Sequence, residues 1–139
     1  MLKKQITIVV AVIKNDRGEI LLAKRNQPEH PQAHGKWEFV GGGIEFGEDP
    51  EASLVREVKE EAGLDVKIIK LFPKIITDSQ EGPNGEQFQI IAITYECEIV
   101  GGELKSSDPE IAELKFVNLG DLKTYDTFNN ITETVKLLL

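Results

Sequence analysis

One stretch leaves this chain little conformational choice: Gly42 to Leu64, GGIEFGEDPEASLVREVKEEAGL. A helix start is written into it. Asp49 is a good N-cap, Pro50 suits the first helical position, and Glu51 favours the positive end of the helix dipole. A stop follows at Gly63, a residue suited to a left-handed C-cap. The spacing predicts a helix over residues 50–62. At about 100° per residue, Leu54, Val55, Val58 and Ala62 share one side, which should pack on a sheet. Glu57, Glu60 and Glu61 share another, with Ser53 in line and Arg56 at its edge.

Carboxylates so spaced can converge on one spot, and they repel one another unless a positive group sits among them. Hard divalent cations such as Mg²⁺ take oxygen ligands. A solvated acidic helix face is the plain alternative. The preceding stretch, read as a glycine-rich loop, weighs against it. Gly41, Gly42 and Gly43 let the backbone approach a ligand closely, and Glu45 and Glu48 add further carboxylates.

Glycines, acid and carboxylate helix together resemble the Nudix box, G-x5-E-x7-R-E-U-x-E-E-x-G-U, with U aliphatic. Each specified position is met, by Gly42, Glu48, Arg56, Glu57, Val58, Glu60, Glu61, Gly63 and Leu64. A looser likeness extends over most of the chain. It includes the approach from Trp37 to Gly41-Gly42 and the segment Glu110-x-x-Glu113-x-x-Phe116-Val117. Two positions depart from the usual pattern: Val40 stands where proline is common, and Gly43 where a longer residue is usual.

The rest of the chain reads as a single domain, 1–139. Its length suits one core. A net charge of −8 argues against non-specific binding to nucleic acid polymers or to an anionic membrane. It leaves phosphorylated small molecules open, because a bound cation reverses the local sign. The lone cysteine, Cys97, excludes an intrachain disulfide and reads as a small buried hydrophobe. With no targeting signal recognised, the expected location is cytoplasmic.

Residues 3–14 are rich in Ile and Val and predict a strand buried on both faces. A turn at 15–18 leads to a second strand, 19–25, and the two suggest a hairpin. Residues 26–36 read as a polar surface loop carrying His30 and His34. Residues 37–40 form a short strand with Trp37 as a packing anchor. After the helix, 65–76 predict one strand, 77–87 a turn-rich loop, 88–100 a long strand and 113–117 another, with Gly101-Gly102 as a turn. A short helical element is expected near 118–122. A last helix follows Asp126 or Thr127, with Phe128, Ile131, Val135 and Leu138 or Leu139 on its apolar face. Strands on both sides of a central helix, with a helix at the end, make an α/β sandwich.

The resemblance implies more than these patterns do. Nudix domains are α/β/α sandwiches with a mixed central sheet, and Nudix hydrolases cleave pyrophosphate bonds in nucleotides. By resemblance, Glu57, Glu60 and Arg56 are the catalytic set, with Glu57 the first choice for general base and Arg56 orienting a carboxylate such as Glu48. The metal ligands implied are Glu57, Glu60, Glu61 and the Gly41 carbonyl. Glu110 is either a further ligand or an ordinary loop acid. The cofactor implied is Mg²⁺, with Mn²⁺ as a substitute. Arg25, Gly42 and Gly43 are expected to meet the substrate. Asn129 and Asn130 either read its base with an amide or serve only the helix start. The expected substrate is a nucleoside triphosphate, including oxidised or non-standard ones, cleaved to monophosphate and pyrophosphate as in MutT-like enzymes. ADP-ribose or a nucleotide sugar is the alternative, and a non-catalytic nucleotide-binding regulatory domain the alternative of another class. Family members are often homodimers, though no stretch here marks an interface.

Overall fold

The computed structural model describes residues 2–138, apart from the side chains of Asn129 and Asn130. Its centre is β1 (Lys3–Ile13), which pairs antiparallel with β4 (Val40–Gly43) on one side and parallel with β7 (Gln87–Gly102) on the other. β7 is long enough to hold two partners along its far edge. β6 (Ile76–Glu81) pairs with its first half and β5 (Leu64–Leu71) with its second, both antiparallel. A smaller antiparallel sheet has the order β3 (Trp37–Glu38), β2 (Ile20–Arg25), β8 (Ile111–Val117). The large sheet is therefore mixed, as the resemblance implies.

Alternation along β1 divides the core. Val9, Ala11 and Ile13 point to the side of α1 (Pro50–Ala62), where they meet Leu54, Val58 and Ala62. Val10 and Val12 point to the opposite side and join Trp37, Phe39, Ile131 and Val135 beneath α2 (Asn129–Leu138). Successive strand residues alternate faces, so a strand covered on both sides must be apolar throughout, and this one is. Trp37 is an anchor, buried and edge-on to Tyr125 with ring centroids 5.3 Å apart.

Several expectations are corrected. β1 and β2 are not a hairpin. The turn at Asn15–Glu19 closes with one bridge, Lys14 to Ile20, and the strands then enter different sheets. The segment 37–40 is likewise divided, because Phe39 is where the chain leaves the small sheet for the large one. The glycines at 41–43 are a paired strand rather than a loop. The expected loop at 77–87 is mostly β6, with the turn confined to Gly82–Glu86. Gly101 and Gly102 belong to the end of β7. In the last three cases pairing with a neighbouring strand overrode local turn chemistry.

Candidate active site

α1 begins and ends as its sequence dictates. Asp49 accepts a hydrogen bond from the Ala52 amide, and Gly63 adopts φ 74° at the C-cap. Its buried arc is wider than the apolar pattern suggests. Ser53 is 1% exposed, whereas Val55, expected inside, is 39% exposed. On the helical wheel Ser53, Glu57 and Glu61 flank Leu54 and Val58 on the side away from Val55. This flank is pressed against β4. Glu57 and Glu61 are partly buried there, while Glu60 faces outward.

β4 accepts these carboxylates because it is made of glycine. The Gly41 amide donates to Glu61 Oε1 at 2.9 Å. A Cβ on Gly41 would collide with the Val9 carbonyl on β1. One on Gly42 would stand 2.7 Å from Glu57 Cδ. Electrostatics register the crowding. Burial is the main cause that pushes Glu61 up to about 8. The Gly41 amide opposes the shift, and the charges of Glu38, Glu57 and Asp108 add to it. Glu57 is raised too, by burial first, with Arg56 opposing and Glu60 and Asp108 contributing.

Arg56 organises the outer edge. Its Nη2 donates to both Glu48 oxygens, at 3.0 and 3.3 Å, and its Nη1 to both Glu60 oxygens, each at 3.3 Å. Nη1 also lies 3.3 Å from Glu57 Oε1. Glu48 is held further by the Glu45 amide, 2.9 Å away, which is the chief cause lowering its pKa, ahead of Arg56. Arg56 thus contacts Glu48, Glu57 and Glu60 together, and its hydrogen bonds to Glu48 and Glu60 raise its own pKa.

Other expected residues lie elsewhere. Arg25 is not a free cation waiting for phosphate. It holds Glu38 through Nε and Nη2, with Nη2 at 3.0 and 3.1 Å from the two oxygens. Its guanidinium also lies over the Phe128 ring, 5.6 Å from the centroid. Glu110 is exposed and accepts from Gln27 Nε2 at 3.0 Å. Gly43 is exposed beside Gly42. The side chains of Asn129 and Asn130 lie outside the described residues.

Two charged groups that act on Glu61 escaped the sequence reading. Glu38 and Asp108 both add negative charge around Glu61. Glu38 comes from β3 and Asp108 from the loop before β8, and no local pattern links either to α1. Only the sheet switch at Phe39 could have pointed to Glu38.

Among the described residues no three Asp, Glu, His or Cys side chains are drawn together closely enough to hold a metal ion as they stand. Glu57 and Glu60 lean toward Arg56 instead. The donor chemistry nevertheless fits a hard divalent cation. All the candidate donors are oxygens, and burial together with neighbouring carboxylates raises Glu61, an environment that a bound cation would relieve.

Comparison with known proteins bears on the family and the fold. The model of the NUDIX domain matches residues 3–137. The nucleoside triphosphatase NudI of Escherichia coli O17:K52:H18 is 31% identical over 139 residues, covering 96% of each chain. The ADP-ribose pyrophosphatase of Methanocaldococcus jannaschii is 32% identical over 114 residues, 82% of this chain and 62% of that one. The 8-oxo-dGTP diphosphatase of Escherichia coli K12 is 40% identical over 72 residues, 52% of this chain and 54% of that one. The chain thus spans less than two thirds of the latter two relatives. The crystal structure of a MutT protein from Methanosarcina mazei Go1 superposes with a TM-score of 0.80 at 24% identity, covering 98% of this chain and 94% of that one, and shares its fold. With a box complete from Gly42 to Leu64 and a domain match over nearly its whole length, the chain belongs to the Nudix hydrolase family.

Proposed function

We propose that the protein hydrolyses a nucleoside triphosphate, oxidised or non-standard ones included, to nucleoside monophosphate and pyrophosphate. The observation that carries this reading is the pair Glu57 and Glu61, turned inward against Gly41 and Gly42 at the edge of the large sheet. A binding domain has no need to gather mutually repelling carboxylates in a partly buried place. Such a cluster suits water attack at a phosphorus screened by anionic oxygens. Mg²⁺, or Mn²⁺ in its place, held by Glu57, Glu60, Glu61 and the Gly41 carbonyl, would neutralise the phosphate oxygens and acidify water.

The chain's own groups do the rest. Glu57 accepts the proton of the attacking water. Glu61, tethered by the Gly41 amide, keeps its place while charge at the site changes. Arg56 holds Glu48 and steadies Glu60 without touching the substrate. Gly42 and Gly43 leave the strand backbone open for phosphate to approach. Triphosphate is preferred as the substrate class because NudI is similar over the full length of both chains. The likeness to an ADP-ribose pyrophosphatase supports a second reading, in which the diphosphate linkage of ADP-ribose is cut.

Product analysis with Mg²⁺ separates the readings. Pyrophosphate released from a triphosphate supports the first. AMP and ribose phosphate released from ADP-ribose support the second. In either case Glu57→Gln should lower kcat by about 10²-fold or more, the scale of general-base catalysis, with the fold retained as read by circular dichroism. Undiminished turnover in that variant would remove Glu57 from the catalytic role.

A further inference from the structure

Four side chains form a hydrogen-bonded chain beside the cluster. Glu38 on β3 accepts from Arg25 on β2, and Arg25 Nη1 donates to Gln27 Oε1 at 2.9 Å. Gln27 Nε2 donates to Glu110 Oε2 at 3.0 Å. The loop carrying Glu110 is tied at its other end to the carboxylate helix. Ser107 Oγ donates to the Glu60 carbonyl at 3.0 Å, and the Lys105 amide to the Ala62 carbonyl at 2.9 Å. Its backbone is also anchored independently of Gln27. The Asn26 amide donates to the Glu110 carbonyl at 2.7 Å, and Asn26 Nδ2 to the Pro109 carbonyl at 3.1 Å.

The position of Gln27 demands an amide. One end must accept from a guanidinium and the other must donate to a carboxylate, and a neutral planar side chain does both. We propose that Gln27 is a positioning residue: it fixes the Glu110 carboxylate against the Arg25–Glu38 pair and so steadies the anchored 106–110 loop beside α1 for cation binding. This rests on the proposed metal-dependent reading of the site. Neighbours that orient metal-binding groups typically matter by about 10-fold to 100-fold in affinity.

The test uses Mn²⁺ alone, without nucleotide, titrated by electron paramagnetic resonance, together with amide hydrogen exchange over 106–110 in the metal-free protein. Gln27→Ala removes both bonds and leaves the backbone anchors of the loop in place. Gln27→Glu keeps the acceptor for Arg25 but sets a second carboxylate against Glu110. The expected order of Mn²⁺ affinity is wild type above Gln27→Ala above Gln27→Glu, the last weaker by about 10-fold, with faster exchange over 106–110 in both variants. A purely bulk effect of added negative charge would move Gln27→Glu the other way. In a Glu110→Gln background, Gln27→Glu should cost no further affinity, since the bond can re-form with donor and acceptor exchanged. Wild-type affinity in Gln27→Glu, or an undiminished loss in the Glu110→Gln background, would overturn the proposal. Neither readout needs turnover, so failure here is distinguishable from failure of the hydrolase reading, which the Glu57→Gln assay judges.

Discussion

Glu61 is where residue chemistry has the clearest thermodynamic consequence. Its carboxyl is raised to about 8 in the folded chain, above the ordinary glutamate value near 4.3. Between those values the folded state binds more protons than the unfolded state, so stability falls as pH rises through that window. Glu61→Gln retains an acceptor for the Gly41 amide and removes the charge. The metal-free variant should melt at a higher temperature than the wild type at pH 8 and close to it at pH 4, as read by calorimetry. A variant less stable at pH 8 would contradict the buried-charge account. Gly42 makes a steric prediction. A methyl group there would meet the Glu57 carboxyl at 2.7 Å, so Gly42→Ala should move that carboxyl and lower kcat by about 10-fold or more, as small displacements of catalytic groups do. Kinetics beside a melting curve would separate this from a folding defect. Cys97 needs no such care: it is buried, and burial pushes its thiol up to about 12.

At the scale of elements, α1 serves two purposes with one surface. Leu54, Val58 and Ala62 are fully buried against β1 and hold the helix down. Leu54→Ala should cost about 2–5 kcal/mol in stability, whereas Val55→Ala on the same helix should change stability by under about 0.5 kcal/mol. Chemical denaturation of both variants checks this, and equal losses would mean the helix is rotated from the position described. The caps Asp49 and Gly63 are read correctly from sequence because they act within a few residues of themselves. The rotation of the helix is not local. Ser53 goes inside and Val55 outside because β4 offers glycine-sized space on one flank only. Strand assignment follows the same division. β1 is evident from its unbroken apolar run, while β6, half-exposed and bounded by turn formers, becomes a strand only through its pairing with β7.

Across the whole molecule the net charge is −8, and much of the negative charge that matters lies around one partly buried place. A divalent cation that binds the folded form should stabilise it by about 2.7 kcal/mol at a hundred times its dissociation constant. Mg²⁺ or Mn²⁺ should therefore raise the melting temperature, EDTA should reverse the rise, and Glu61→Gln should blunt it. A melting temperature indifferent to cation would count against the site. Among the described residues no helix is long and apolar enough to cross a membrane. Short-range rules were enough to place α1, its caps, the buried run of β1, the anchor at Trp37 and the carboxylate pattern of the box, since each depends on residues a few positions apart. Longer-range facts decided the rest: that Arg25 pairs with Glu38, that Gln27 reaches Glu110, that Glu38 and Asp108 bring charge to Glu61, and that the glycines form a strand. These depend on which strand lies beside which. Pairing is set by packing across a core shared by distant segments, and spacing along the chain carries no record of it.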